Sequence, residues 1–307
     1  MKMKTVLIRE YGNNDVVEVE DVSRPEPQAG EILAKVHAAG VNPIDWRIRG
    51  GAGQRMGLTL PIRLGSEIVG TIEICGAGAS KFHEGDAVFG MVPSGGFSEY
   101  AIIKADHAVH KPKNLSFVEA AALPLAGTTA WQALFEEAGL SEGQRLLITN
   151  SSGGVGSLAV QFAKAQGARV TAVASGRNEH FVRGLGADHF IDYTRQAFEE
   201  VATDMDVVLD TMGGEVYQRA FQTLKKGGKM ITIVAFPQDE AEQYGVTAKR
   251  SFTVPSAESL NKISDLVEAG KVTPHVEAIV PFPDVREALA LSEAGRSRGK
   301  IVLMFPQ

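Results

Sequence analysis

Residues 145–162, RLLITNSSGGVGSLAVQF, begin with a short apolar run, continue with a turn of small residues and end in a helical pattern. The turn, residues 151–156, nearly matches the G-x-G-x-x-G fingerprint of a dinucleotide-binding loop, but Ser151 occupies the first glycine position. In that fingerprint the second glycine lets the backbone approach a pyrophosphate, and the third lets the helix pack closely on the strand. Gly153 and Gly156 stand at these two positions. The first glycine only eases the turn, and serine can occupy a turn at modest cost.

The surroundings of this turn decide between a cofactor loop and a ligand-free connector. An isolated match favours the connector, but here strand, loop, helix and a second strand, RVTAVA at 169–174, follow in the required order. A helix N-terminus also offers free N–H groups and a positive dipole end to phosphates. We therefore expect cofactor contacts from the loop residues Ser152, Gly153, Gly154, Val155 and Gly156.

The residues after RVTAVA indicate which nicotinamide cofactor is bound. NAD sites place an acidic residue on the ribose 2′-hydroxyl about twenty residues past the loop, whereas this chain has Ser175 and Arg177 and no carboxylate before Glu179. A guanidinium can hold a 2′-phosphate with two hydrogen bonds. The alternative is that Arg177 is a solvated surface side chain. The absence of a carboxylate at this position and the presence of Arg177 both favour NADPH.

Two patterns divide the chain. Up to about residue 110, short β-like runs between Gly and Pro predict a compact, largely antiparallel β domain, with a single helical turn at 42–50. From about residue 116, where Ser116 and Glu119 predict a helix cap, helices appear and then alternate with apolar strands, which indicates a doubly wound parallel sheet. The predicted helices include 126–139, 154–166, 178–185, 195–203 and 214–225. The β-like tail ending RGKIVLMF resembles the first domain and is expected to return to it.

Composition excludes several classes of function. The 307 residues are 44% hydrophobic with a formal net charge of −6 and no basic tract, which argues against nucleic acid as the main partner. No run of about 18 apolar residues occurs, so no membrane span is predicted. The single cysteine, Cys75, excludes an internal disulfide and a multi-cysteine metal site. The start, MKMKTVLIREYG, alternates like a strand rather than a signal peptide, so we expect a cytoplasmic protein.

Several blocks in order resemble the medium-chain dehydrogenase/reductase superfamily, specifically its zinc-independent quinone oxidoreductase (zeta-crystallin-like) family. The resemblance runs nearly end to end through AAGVNPIDWRIRGG, GDAVFGM, GGFSEYAIIKAD, EAAALPLAGTTAWQAL, NSSGGVGSLAVQFAKAQGA, LGADHFIDY, VVLDTMGG and RGKIVLMF. It implies an α/β protein with a GroES-like β-rich catalytic domain, residues 1–121 completed by 272–307. A Rossmann NADPH-binding domain, residues 122–271, would be inserted between them, with the active cleft between the two domains.

Two departures from the wider superfamily concern metal. Zinc alcohol dehydrogenases of that superfamily have a cysteine and a histidine as zinc ligands at the positions of Asn42 and Ser66 in this chain. This chain also lacks their structural zinc lobe with its four cysteines. Because zinc needs about four N, S or carboxylate ligands, we predict no metal site. Without a Lewis acid, the expected hydride acceptor is an electron-poor carbon of a quinone or an α,β-unsaturated carbonyl, whose oxygen needs preorganised donors.

Asn42 is the first candidate for a catalytic polar group that faces the substrate, and the resemblance implies that Thr128 lies beside the nicotinamide. As alternatives, Asn42 caps the turn before Pro43, and Thr128 is a packed helix residue. The resemblance also implies cofactor contacts from Tyr193, Arg298 and Lys300.

Two matters of assembly and function stay open in the sequence. The resemblance implies pairing through an edge strand of the nucleotide domain, so we expect a homodimer with RSFTVP, residues 250–255, as that edge. The leading function is an NADPH-dependent oxidoreductase of quinones or enones. The alternatives are an enoyl reductase of a biosynthetic pathway and a non-catalytic NADPH-binding protein.

Overall fold

The computed structural model describes residues 1–306, which form two compact units. The first unit comprises Met1–Leu125, Pro255–Ser264 and the residues from Pro274 onward. The second comprises Ala126–Val254 and Asp265–Thr273. The fold is mixed α/β, with largely antiparallel β-structure in the first unit and a parallel sheet in the second.

The first unit begins with eight strands. They are β1 (Lys2–Ile8), β2 (Val17–Ser23), β3 (Glu31–Val41), β4 (Ile62–Arg63), β5 (Glu67–Cys75), β6 (Ala87–Met91), β7 (Tyr100–Lys104) and β8 (Ala108–His110). Strands β2, β1 and β4 form a small antiparallel sheet, and β3 pairs antiparallel with both β5 and β7 in a larger one. Apolar side chains of both sheets share one buried cluster, which includes Val6, Ile32 and Ile68.

The helical segment after β3 is longer than the single turn predicted. Helix α1 (Pro43–Arg47) continues through a π-helical turn at Ile48–Ala52 into α2 (Gly53–Arg55). Pro43 fixes the first helical position, and Gly51, with φ of 107°, supplies a backbone conformation that L side chains rarely adopt. The predicted cap before α3 (Phe117–Ala120) is confirmed, because Ser116 Oγ accepts from Glu119 N and Glu119 Oε2 accepts from Ser116 N.

The second unit contains the predicted parallel sheet. Its elements begin with α4 (Pro124–Trp131), which starts just before the unit and continues as a π-helix at Gln132–Glu137 rather than as one α-helix over 126–139. There follow β9 (Arg145–Ile148), α5 (Gly154–Ala165), β10 (Arg169–Ala174), α6 (Glu179–Gly184), β11 (His189–Asp192), α7 (Phe198–Val201), β12 (Met205–Asp210), α8 (Gly214–Ala220), β13 (Leu224–Thr232), α9 (Glu240–Tyr244) and β14 (Thr247–Arg250). The next helix, α10 (Ala257–Glu268), belongs to the first unit up to Ser264 and to the second from Asp265. The strand order is β11-β10-β9-β12-β13-β14, and every pair is parallel. The chain thus builds one half of the sheet outward from β9 and then returns for the other half, as in a doubly wound fold.

The C-terminal tail returns to the first unit, as predicted. After β15 (Val276–Pro281) and α11 (Val285–Glu293), the last strand β16 (Lys300–Met304) pairs antiparallel with β3, with Val302 opposite Gly40. Gly299 enters this strand with φ of 67°, and a Cβ there would lie 2.3 Å from His275 O. The close approach of the His275 backbone therefore requires glycine immediately before Lys300.

Three more predicted elements are wrong in extent. The helix predicted at 214–225 ends as an α-helix at Ala220, continues as a 3-10 turn at Phe221–Thr223 and is followed by β13 from Leu224. The helix predicted at 195–203 covers only Phe198–Val201, because the Asp192 carboxylate and carbonyl accept from Thr194, Arg195 and Gln196 and hold these residues in a turn. The predicted edge RSFTVP is not a strand beyond Arg250. There the Gln132 side chain bonds both Val254 O and Val254 N, at 3.0 Å each, so a side chain and not a neighbouring strand satisfies this part of the backbone. Within residues 1–306, no helix is long and apolar enough to cross a membrane.

Candidate functional site

Ser151, the residue in place of the first glycine, completes the pairing of β9 and β10. Its hydroxyl donates to Ile148 O at 2.8 Å and accepts from Val173 N at 2.9 Å, while its own backbone N–H donates to Val173 O at 3.0 Å. The side chain is fully buried. The serine thus satisfies backbone groups just past the end of β9, and this substitution in the fingerprint stabilises the loop.

The two remaining glycines of the fingerprint differ in how strictly they are required. A Cβ on Gly156 would lie 2.3 Å from Asn150 O and 2.8 Å from Ser151 Cα, both backbone atoms. A Cβ on Gly153 would meet only the movable Asn150 amide, at 2.7 Å. Gly153 is the N-cap of α5, whose first-turn N–H groups have no acceptor within the helix. Such a cradle fits the phosphates of a dinucleotide.

Asn178, which the sequence did not single out, links the two predicted cofactor segments. Its amide nitrogen Nδ2 donates to Ser152 Oγ at 2.9 Å and to Ser175 Oγ at 3.2 Å. Asn178 precedes α6, where asparagine is a common N-cap, yet its side chain makes no capping bond. From its position alone, Asn178 would be predicted to cap α6. Only the fold shows that its amide instead bonds Ser152 and Ser175.

Arg177 and Tyr193 lie near Ser175. Tyr193 N donates to Ala174 O at 3.3 Å, which places Tyr193 beside the end of β10, and its side chain is exposed. Arg177 is also exposed. The carboxylate of Asp192 lies under Gly176, where a Cβ would be 2.4 Å from Asp192 Oδ2. Hydrogen bonds from Thr194 and from the Gly176 backbone lower the pKa of Asp192, so a negative charge also stands at this end of the sheet.

Thr128 on α4 has a hydroxyl without a partner. The side chain is fully buried, and Oγ1 makes no hydrogen bond to any atom of residues 1–306. A buried polar group left unsatisfied costs about 1–3 kcal/mol. Because Oγ1 is buried as well as unpartnered, the place of Thr128 beside the nicotinamide stays a prediction.

The first unit has a second polar cluster, around Asn42 and Lys300. The Lys300 ammonium donates to Asn42 Oδ1, to Glu67 Oε1 at 3.0 Å and to Val41 O at 3.1 Å. The Asn42 amide in turn donates to Glu67 Oε1 at 2.6 Å and to Gly40 O at 3.2 Å. All five hydrogens of the two groups thus have protein acceptors. A donor role of Asn42 toward substrate, or of Lys300 toward a cofactor phosphate, would require one of these bonds to break.

Glu67 at the start of β5 holds this cluster together, and the sequence did not identify it. It is fully buried and also accepts from Leu125 N through Oε2 at 2.6 Å. A Cβ at Gly40 would lie 2.2 Å from Glu67 Oε1, so the glycine makes room for the carboxylate. The available signal was a single acid at the head of the apolar run EIVGTI.

Asp45 on α1 is the buried acid beside this cluster. Its Oδ2 accepts from Asn42 N at 2.8 Å, and its Oδ1 has no hydrogen-bond partner among residues 1–306. Burial raises the pKa of Asp45 to about 7, although the Asn42 N–H and the Lys300 charge act in the opposite direction. The carboxyl is therefore partly protonated near neutral pH.

The other predicted site residue, Arg298, is half-buried at the entry to β16. Among residues 1–306, no group of three or more His, Cys, Asp or Glu side chains is placed to hold a metal ion.

Comparison with known proteins places the chain in a family. The sequence profile of the alcohol dehydrogenase GroES-like domain matches residues 28–113, and that of the zinc-binding dehydrogenase matches residues 185–303. The chain is 34% identical to the mitochondrial NAD(P)H oxidoreductase RTN4IP1 of Danio rerio, over 98% of this chain and 91% of the relative. It is also 34% identical to the 2-methylene-furan-3-one reductase of Solanum lycopersicum, over 98% of this chain and 79% of the relative.

Among solved structures, the quinone oxidoreductase of Coxiella burnetii superposes with a TM-score of 0.93 at 31% identity, over 99% of both chains. These similarities extend over almost the whole chain. The chain therefore belongs to the medium-chain dehydrogenase/reductase superfamily, in its quinone oxidoreductase-like branch.

Proposed function

We propose that the chain is an NADPH-dependent, zinc-independent reductase of quinones and α,β-unsaturated carbonyls. The observation that best supports a phosphate-bearing cofactor is the arrangement of Ser152 and Ser175, whose hydroxyls both accept from one amide near the N-terminus of α5. The substrate class is supported by relatives named for a quinone and for a 2-methylene-furan-3-one.

The loop and the end of β10 would hold the cofactor. The first turn of α5, from Gly154, would offer backbone N–H groups to the pyrophosphate, and Ser152 would offer a hydroxyl. Ser175, Arg177 and Tyr193 would receive the adenosine end, where the guanidinium suits a 2′-phosphate. Bound NADPH supplies a hydride, and the protein supplies orientation and electrostatics.

Thr128 and Asn42 remain the proposed catalytic side chains, and they differ in whether their polar groups already have protein partners. The Thr128 hydroxyl has no partner among residues 1–306 and can donate to a bound molecule without losing a protein bond. Asn42 has both amide hydrogens bonded, so it can face substrate only by exchanging one of them. Thr128 is therefore the stronger candidate of the two.

Zinc independence belongs to the proposal because of the residue types at the two ligand positions. Asn42 and Ser66 offer an amide and a hydroxyl where related zinc enzymes have a thiolate and an imidazole. The domain division at residues 121 and 271, the cytoplasmic location and the homodimer also remain proposals. RSFTVP no longer supports the homodimer, since the edge strand is β14, Thr247–Arg250.

The proposal is tested by following NADPH absorbance with a panel of acceptors. The panel holds a benzoquinone, a linear 2-alkenal, a cyclic enone and, as matched controls, the corresponding saturated aldehyde and ketone. We expect NADPH consumption with the conjugated acceptors and none with the saturated ones. Consumption with the saturated carbonyls alone would contradict the proposal. NADPH binding without consumption by any acceptor would instead support a non-catalytic binding protein.

A further inference from the structure

One buried amide determines how two serine hydroxyls are oriented at the proposed cofactor site. Asn178 is 7% exposed, and its Nδ2 donates to both Ser152 Oγ and Ser175 Oγ. Ser152 belongs to the loop before α5, and Ser175 follows β10. The amide therefore joins the loop before α5, proposed to hold the pyrophosphate, to the residues after β10, proposed to hold the adenosine end.

The direction of these hydrogen bonds has a chemical consequence. An amide nitrogen only donates, whereas a hydroxyl has one hydrogen to donate and two lone pairs. Both serine oxygens accept from Asn178, and within residues 1–306 neither hydroxyl donates its hydrogen to a protein atom. Each serine is thus left as a donor. Phosphate oxygens accept hydrogen bonds, and bonds to a charged acceptor are about twice as strong as neutral ones.

We propose that Asn178 is a positioning residue that sets the preference for NADPH over NADH by keeping Ser175 a donor toward the 2′-phosphate. This inference rests on the proposed NADPH dependence. Ser152 would serve the pyrophosphate, which both cofactors share, so the preference acts through Ser175. Charged side chains also lie in this region. Arg177 adds attraction for the 2′-phosphate, whereas Asp192, whose carboxylate adjoins Gly176, and Glu179, which follows Asn178, oppose it.

Asn178→Asp tests the proposal with almost no change in shape. A carboxylate only accepts, so both serine hydroxyls would turn inward and donate to it. Adenosine 2′,5′-bisphosphate and 5′-AMP serve as probes in isothermal titration, because they differ in the 2′-phosphate and need no turnover. We expect the bisphosphate to lose roughly tenfold or more in affinity, and 5′-AMP distinctly less. NADPH and NADH binding should follow the same ratio.

Two variants separate hydrogen-bond direction from charge. Asn150→Asp adds the same charge to the same loop, at a side chain with no hydrogen bond to either serine, and should weaken both probes by similar factors. Asn178→Ala removes the donor without adding charge and should lower the affinity ratio, though less than Asn178→Asp. It also serves as the test if the aspartate variant does not fold, as judged by thermal unfolding.

A double mutant identifies the route of the effect. In a Ser175→Ala background, Asn178→Asp should no longer change the affinity ratio of the two probes, because the hydroxyl it acts through is absent. The proposal would be overturned if Asn178→Asp left the affinity ratio of the two probes unchanged, or if its effect on that ratio persisted without Ser175. Asn178 would then only hold the two segments together. Failure of the wild type to bind NADPH or NADH would instead overturn the proposed function.

Discussion

Arg177 is the residue on which the cofactor assignment most directly depends. It follows β10 at the position where an acid would favour NAD, and its side chain is exposed. A hydrogen bond to a charged group contributes about 1.5–3 kcal/mol, so Arg177→Ala should weaken NADPH binding roughly ten- to a hundredfold. NADH lacks the 2′-phosphate, so its affinity should change little. Fluorescence titration of both cofactors measures the difference.

A matched control lies at the other end of the same strand. Arg169 begins β10 and is also exposed, so Arg169→Ala removes the same charge far from the cofactor segment. It should leave both affinities nearly unchanged. Added salt should reduce NADPH affinity more than NADH affinity, because an exposed contact is screened. Equal loss of NADPH and NADH in Arg177→Ala would show that this arginine is only a surface charge.

Asp45 gives the first unit a pH-dependent stability. Because burial raises its pKa to about 7 from 3.8, the folded state holds a proton that the unfolded state has already released between these values. The contribution to stability is therefore fully present below about pH 4 and is lost as pH rises through about 7. Asp45→Asn cannot titrate, so its melting temperature should fall less than that of the wild type between pH 5 and pH 8. Parallel slopes in thermal unfolding would refute the assignment.

The sequence predicts individual site residues only where a motif specifies them. The fingerprint identifies Gly153 and Gly156, and the missing acid after β10 identifies Ser175 and Arg177 as candidates. Asn178 and Glu67 escape prediction because each has a partner distant in sequence, which for Asn178 is Ser152. Glu67, for example, bonds Lys300 across 233 positions, and no local pattern encodes that contact.

At the scale of elements, the loop between β9 and α5 depends on one close approach. Gly156→Ala would place a methyl group 2.3 Å from Asn150 O, a backbone atom that cannot move aside without shifting the loop. The helix N-terminus would then be displaced from the pyrophosphate position. We expect weaker binding of NADPH and NADH by similar factors and a lower melting temperature, measured by titration and thermal unfolding.

Gly184→Ala is the control for this substitution. Gly184 ends α6 in the same unit, and a Cβ there meets nothing within 4 Å. Because alanine has a higher helix propensity than glycine by about 1 kcal/mol, this variant should be neutral or slightly stabilising. If Gly156→Ala behaves in the same way, the close packing of α5 on the loop is not required for binding.

Elements are predicted well where hydrophobic periodicity is strong. The apolar runs at β9, β10 and β12 lie in the middle of the parallel sheet, and helix α5 differs by one residue from its predicted end. Errors arise where side chains override local propensity. Asp192 delays the start of the helix predicted at 195–203, and Gln132 bonds the backbone of Val254 within RSFTVP. Both effects come from polar side chains that bond to the backbone of another segment or of the following turn.

For the whole molecule, the repeated β-α pattern and the β-like tail predict the fold class. The six parallel strands and the return of β16 to β3 confirm both expectations. The fold class follows from patterns along the whole chain, whereas the prediction about zinc depends on the residue types at positions 42 and 66. Asn42 and Ser66 offer poor ligands for zinc, which prefers thiolate, imidazole and carboxylate.

The polar cluster of the first unit strengthens the expectation of zinc independence. The Lys300 ammonium already bonds to Asn42 Oδ1 and Glu67 Oε1, so a divalent cation at these oxygens would meet a buried like charge. We therefore expect elemental analysis of the purified protein to find far less than about one zinc per chain, and NADPH oxidation to be unaffected by a chelator. Lys300→Met is the informative variant, because it removes the competing charge but adds no ligand. It should destabilise the protein by leaving the buried Glu67 carboxylate without its cationic partner, and it should still bind no stoichiometric zinc. Stoichiometric zinc in the wild type, with turnover lost on chelation and restored by added zinc, would show that the site recruits ligands beyond those at positions 42 and 66.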